Sequence, residues 1–179
     1  MERKFLPVSI ALLTVSDTRV FENDKSGNLL ADKIKHTGHI LFDRKIVKDE
    51  ILDIQKTSKK WIENPKVEVI ISTGGTGLTG RDVSPEAFRS IFDKEIEGFG
   101  ELFRSVSFNK IGTSTIQSRA LAGVSNGTYI FILPGSPSAC KDAWDEILAH
   151  QLDYRHKPCN FVEIMPRLLE KGGGRSGKS

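Results

Sequence analysis

The chain has 179 residues, 38% hydrophobic and 27% charged, ordinary values for a globular protein and enough length for one domain with a real core. Its net charge of +3 comes from 26 basic and 23 acidic side chains, and three of the basic ones, Lys171, Arg175 and Lys178, lie in the last nine residues, which hold no acid. The remaining 170 residues carry no excess charge, which excludes the broad positive field of a nucleic-acid binder.

Two cysteines, Cys140 and Cys159, stand outside C-x-x-C spacing, so neither a disulfide scaffold nor a zinc site is expected and a reducing compartment fits. The four histidines, His36, His39, His150 and His156, lack the i, i+4 spacing of a helical metal pair. Metal ligands, where needed, should be carboxylates.

The opening "MERKFLPVSIALLTVS" has the basic start and apolar run of a signal peptide. No small-x-small cleavage site follows, so the run reads as a buried first strand over Val8 to Val15. Nothing else approaches the ~18 apolar residues of a membrane helix. The expectation is a cytoplasmic protein with no membrane partner.

After a polar loop, Asn28 to Lys35 reads as a helix with Leu29, Leu30 and Ile34 on one side and Gly38 as its stop. Ile40 to Val47 is a second strand. "DEILDIQKTSKKWIEN" carries Ile51, Ile54, Trp61 and Ile62 at helical spacing, closed by Pro65. "VEVIIST" is a third strand rich in β-branched residues. Helices are expected over Pro85 to Ile91 and Gly98 to Phe108, a strand at "TYIFILP", and a last helix over Pro137 to Leu148. Strands alternating with helices predict an α/β fold, a mostly parallel sheet with helices on both faces.

Two strand ends share one grammar. "VIISTGGTGLTGRDVSPEAF" runs from a strand into Gly74, Gly75 and Gly77, then a loop, then a helix with Ser84 as N-cap and Pro85 in its first turn. "IFILPGSPSACKDAW" runs from a strand through Pro134-Gly135 into Ser136-Pro137 and a helix whose Cys140 faces the core. In parallel sheets, ligands bind beyond such strand ends, where backbone N–H groups can meet phosphate.

Asp82 follows the first turn. A carboxylate beside an anion site either holds Mg²⁺, handles a proton, or merely satisfies local backbone donors. Asp49, in "IVKDE", and Asp17, in "VSD", follow other strand ends, and taken singly each reads first as a helix N-cap or first-turn acid. One cleft beyond the strand ends would collect them all.

"LTVSD", "KSG", "VKDE", "TGGTGLTGRDVSPEA", "SRALAG" and "LPGSP", in this order, resemble the MoaB/MogA family of molybdopterin-binding proteins, which includes the G domains of gephyrin and plant Cnx proteins. The likeness covers about residues 8–165 and looks most like the MoaB branch. It implies a three-layer molybdopterin-binding domain over residues 1–170, assembled as trimers or hexamers. It further implies adenylylation of molybdopterin by Mg²⁺-ATP, with pyrophosphate released. Asp49 and Asp82 match the acidic pair linked to catalysis and metal. Thr73, Gly74, Gly75, Thr76 and Gly77 match the ligand loop, and Ser16, Asp17, Ser118, Arg119, Pro134, Gly135 and Ser136 match other stretches lining the pocket. "SPSACKDAW" and "VSNG" depart from active relatives, which leaves a non-catalytic molybdopterin carrier as the alternative. The closing "HKPCNFVEIMPRL" is expected to dock on a neighbouring subunit.

The terminal "GGGRSGKS" fits the phosphate-loop pattern, yet no helix follows it to present amides. It reads as a flexible tail over 171–179.

Overall fold

Strand β1 (Ser9–Val15) sends Ile10 and Leu12 to one side of the sheet and Ala11, Leu13 and Val15 to the other, all of them buried. That period of two, apolar on both faces, suits a strand covered by helices on both sides. β3 (Val69–Thr73) and β6 (Thr128–Leu133) repeat it. With β2 (Ile40–Val47), β4 (Lys94–Glu95) and β5 (Leu121–Ser125) they form one six-stranded sheet in the order β2-β1-β3-β6-β5-β4. The first four strands in that order run parallel, while β5 and β4 are antiparallel to their neighbours. The structure is a computed structural model that describes residues 3–170, so the tail expected at 171–179 lies outside the described residues.

Helices α1 (Lys25–His36), α4 (Glu97–Ile111) and α5 (Pro137–Ala143) cover one face, where Leu30, Ile34, Phe99 and Phe103 join Leu12, Ile71 and Phe131 in one apolar cluster. Helices α2 (Ile51–Ile62) and α3 (Ser84–Arg89) cover the other, with Ile54, Trp61 and Phe88 against Leu13, Ile70 and Ile132. The three-layer α/β arrangement expected from the alternating elements is therefore present. α5 continues through a π turn (Trp144–Leu148) into α6 (Ala149–Gln151). Cys140 is buried on its core face, and burial pushes its thiol up to about 11.

Two expectations need correction. α1 starts three residues early, at Lys25, because Asp24 caps it by accepting from the Gly27 N–H. Ser84 is the first helical residue rather than the cap; it is buried, and its hydroxyl donates to the Gly74 carbonyl (2.8 Å). The closing segment seats on its own sheet: α7 (Phe161–Ile164) places Phe161 4.9 Å from Tyr129 and 5.5 Å from Phe131 between ring centroids, and Tyr129 donates to the Phe161 carbonyl. Among the described residues no helix is long and apolar enough to cross a membrane.

From β1 the chain leaves toward β2 on one side, and from β3 it leads on toward β6 on the other. Strand order therefore reverses between β1 and β3, the position where open parallel sheets gape at their carboxyl ends.

Candidate functional site

The two glycine turns meet at that position. Gly74 N–H donates to the Leu133 carbonyl (3.1 Å), and the Thr73 hydroxyl donates to the Pro134 carbonyl (2.7 Å). Gly74 has φ +103°, and a Cβ there would sit 2.2 Å from the Val15 carbonyl oxygen. A Cβ on Gly135 would be 3.4 Å from Gly74 Cα. Backbone thus packs on backbone across β1, β3 and β6, which brings the two strand ends to one pocket.

Above the turns lies a cleft of about 300 Å³. Of the residues expected in the pocket, it collects Ser16, Asp49, Thr73, Gly74, Gly75 and Gly135. Thr76, Gly77, Asp82 and Pro134 are not among its lining residues, and Asp17 lines an adjoining depression with Ser16 and Arg19. Ser136 is exposed and caps α5 by accepting from the Ala139 N–H. Ser118 and Arg119 line a separate depression of about 250 Å³ with Gly100 and Arg104. From there Arg119 reaches the back of the glycine loop, donating to the carbonyls of Gly77 (2.8 Å) and Asp82 (2.7 Å) and pairing with Glu86. Its own N–H donates to the carbonyl of buried Thr76 (3.2 Å). Arg119 therefore props the loop rather than facing the cleft.

Among the cleft residues not expected at the site are Arg19, Asp24, Lys25 and Ser26. The buried Asp24 carboxylate accepts from the Thr14 hydroxyl (2.6 Å), the Gly27 N–H (2.9 Å) and Arg44 (2.8 Å). A Cβ on Gly27 would fall 2.1 Å from Asp24 Oδ2, which is why the helix opens on glycine there. The Ser26 hydroxyl donates to the Gly135 carbonyl (2.7 Å), tying α1 to the second turn. The signal was the "DKSG" stretch itself, a capping Asp beside a helix that must approach closely.

The acids fall into contrasting environments. Asp49 is half-buried beside Gly75, where a Cβ would lie 3.1 Å from its Oδ1. Burial first, then the negative charge of Asp17, raises its carboxyl above the ordinary range, and Asp82 adds to this. Glu50, not Asp49, holds the N-cap position of α2, so the helix-start reading of Asp49 does not hold. Asp82 stands beside Gly77, where a Cβ would lie 2.7 Å from its Oδ2, and accepts from the Thr79 N–H (2.8 Å) and hydroxyl (2.6 Å). Burial pushes Asp82 up, but the Thr79 and Gly77 donors and Arg119 outweigh it and hold the carboxyl low. Asp17 is held low by Arg81, whose guanidinium bonds both its oxygens (3.0 Å each) and also Glu50 (2.9 Å). One carboxyl lifted and its neighbour depressed is the pattern that separates acid and base or metal roles in one site.

The fold and the cleft define a class: a three-layer α/β domain with a ligand cleft at the switch point of its sheet. Residues 11–154 match the family described as a probable molybdopterin binding domain. The chain is 52% identical over 158 residues to molybdenum cofactor biosynthesis protein B of Escherichia coli strain K12, covering 88% of this chain and 93% of that one. It is 43% identical over 155 residues to the protein of that name from Halalkalibacterium halodurans, covering 85% and 91%. A solved molybdenum cofactor biosynthesis protein B superposes with TM-score 0.81 at 40% identity, over 84% of this chain and 94% of that one. The tungsten cofactor synthesizing protein MoaB from Pyrococcus furiosus superposes with TM-score 0.73 at 33% identity, over 80% and 92%. The chain belongs to the MoaB/MogA family of molybdenum cofactor biosynthesis proteins, in its MoaB branch, and its role lies in that biosynthesis.

Proposed function

We propose that this chain adenylylates molybdopterin with Mg²⁺-ATP in the cytoplasm. A phosphate oxygen of molybdopterin forms a bond to the α-phosphorus of ATP. The bond from that phosphorus to the bridging oxygen breaks, and its electron pair leaves with pyrophosphate. Such a transfer needs alignment and charge neutralisation more than a protein nucleophile. The observation that carries the reading is the acidic pair flanking the glycine loop, Asp49 at Gly75 and Asp82 at Gly77, in opposite electrostatic environments.

Those acids fit a divalent cation. Asp49 bears a carboxylate destabilised by burial and by two neighbouring acids, the condition a cation relieves. Asp49 and Asp82 would hold Mg²⁺, which when bound supplies charge neutralisation at the phosphates. Gly74 keeps the loop in register through Leu133, so the donors available to a phosphate belong to the residues after it. Arg81 keeps Asp17 and Glu50 from adding unneutralised charge beside the cleft.

Incubation with ATP, Mg²⁺ and molybdopterin should yield adenylyl-molybdopterin. Asp49→Ala or Asp82→Ala should abolish product and leave molybdopterin binding within a few-fold. Equal loss of binding and turnover would mean that the acids only support the fold.

One observation favours a second reading, a non-catalytic molybdopterin carrier. The sole cation of "SPSACKDAW", Lys141, is tied to Asp145 at 2.8 Å and brings no unpaired charge to the second turn. Tight molybdopterin binding with no adenylyl product would decide for the carrier. On either reading the chain assembles as a trimer or hexamer, and the exposed Leu102, Phe108, Ile111 and Ile116 on α4 and the turn after it offer apolar surface for that contact. Light scattering on the eluting protein measures the state.

A further inference from the structure

The lining of the cleft carries charge of both signs. On the glycine side stands Asp49, with Asp17 and Asp82 near enough to raise it. Arg19, from the segment after β1, and Lys25, the first residue of α1, line the cleft as well. Among the described residues Arg19 donates from its side chain only to the neutral carbonyl of Asn23 (3.2 Å), and Lys25 enters no salt bridge. Asp24 lies between them in sequence but does not cancel them. Its carboxylate is 2% exposed and turned inward onto Thr14 and Arg44.

The placement is built rather than incidental. The Ser16 hydroxyl accepts from the N–H groups of Thr18 and Arg19 (3.2 Å each), folding the chain back over the end of β1. Lys25 is fixed as the first residue of α1 by the Asp24 cap, and Ser26 beside it is bonded to Gly135. A cleft lined by an acid and by two cations that, among the described residues, enter no salt bridge suits an extended polyanion carrying its own divalent cation, since a single compact anion would engage only part of that lining.

We propose that Arg19 and Lys25 are the polyphosphate seat of this cleft and receive the pyrophosphate portion of a nucleoside triphosphate. The identification of the anion as that of ATP rests on the adenylylation reading; the capacity for pyrophosphate does not. In the transfer, the pair takes up the negative charge that accumulates on the leaving oxygen as its bond to the α-phosphorus breaks, and neither residue gains or loses a proton. The seat also supplies from the β1–α1 side the cations that the second turn lacks.

Calorimetric titration of the full chain with pyrophosphate, with and without Mg²⁺, tests this, alongside inorganic phosphate as the monophosphate probe. Arg19→Gln and Lys25→Gln should each weaken pyrophosphate binding about tenfold, since a charge-assisted bond is worth roughly that factor. The double variant should fall further and lose most of the salt dependence, while phosphate binding changes less than threefold. Lys94→Gln, on the exposed edge strand β4, removes the same charge far from the cleft and should leave the affinity unaltered. Circular dichroism and melting of each variant separate lost binding from lost fold. Pyrophosphate affinity equal to wild type in the folded double variant overturns the proposal, as does a wild-type chain that takes phosphate but not pyrophosphate. A chain that binds pyrophosphate through these two residues yet makes no adenylyl-molybdopterin sinks the adenylylation reading and leaves the seat in place.

Discussion

Gly74→Ala is the substitution on which the architecture of the cleft makes its sharpest demand. At φ +103° the residue lies in a region that side chains rarely adopt, at a cost of about 1–3 kcal/mol. The added methyl would stand 2.2 Å from the Val15 carbonyl oxygen, a backbone atom of a central strand that cannot rotate away. Separating them requires shifting the turn or the end of β1, at about 1–3 kcal/mol by comparison with overpacked cores. The sum predicts a loss of about 2–6 kcal/mol. Two internal controls share the neighbourhood. Gly135→Ala meets only ordinary contact with Gly74 Cα and should cost less than about 1 kcal/mol. Gly80→Ala meets nothing within 4 Å and should be neutral or gain up to about 1 kcal/mol through the unfolded chain. Urea denaturation followed by tryptophan fluorescence gives all three values. A Gly74→Ala protein within about 1 kcal/mol of wild type, or a Gly80→Ala protein as unstable as Gly74→Ala, would refute the reasoning.

Asp24→Ala should cost about 3–5 kcal/mol, because it removes the buried partner of Arg44, whose Nε already lacks one, whereas Glu170→Ala at the exposed Arg167 pair should leave the denaturation midpoint nearly unchanged; chemical denaturation checks both. His39 gives a pH signature. Its Nδ1 accepts from the Val8 N–H (3.1 Å), and burial lowers its pKa below the usual 6.5, although the charge of Asp153 opposes this. The unfolded chain therefore binds the proton first as pH falls. Stability owed to His39 is complete above about pH 6.5 and declines toward the lower folded value, by no more than about 1.4 kcal/mol per pH unit. The difference in denaturation midpoint between wild type and His39→Gln, measured from pH 7.5 to 5, should shrink accordingly.

Much of this was legible in the chain. The nearly continuous apolar run from Val8 to Val15 reads as a strand covered on both faces, and the glycine turns after β3 and β6 pointed to one pocket shared by the two strand ends. What escaped depends on partners distant in sequence. Asp24 looks like a loop acid until Arg44, on a neighbouring strand, makes it a buried cap that starts α1 early. "LAGVS" is small and glycine-containing, and becomes β5 only because β6 doubles back on it. That reversal also delivers Ser118 and Arg119 behind the glycine loop, where no local pattern would place them. Ser84 sits one residue past the cap because its hydroxyl is claimed by Gly74.

The Arg119 guanidinium carries a consequence for how this chain can change length. Holding the carbonyls of Gly77 and Asp82 together with the Glu86 carboxylate, it closes residues 77–86 into a ring with a fixed circumference. An inserted residue between Leu78 and Arg81 has to be taken up between ends that the guanidinium holds in place, beside the Asp82–Thr79 contacts. In most α/β domains the loops above the sheet are where length varies freely. Here the exposed loop is gauged from behind by one side chain, so homologous chains that keep this arginine should keep the loop's residue count, and insertions should accumulate elsewhere.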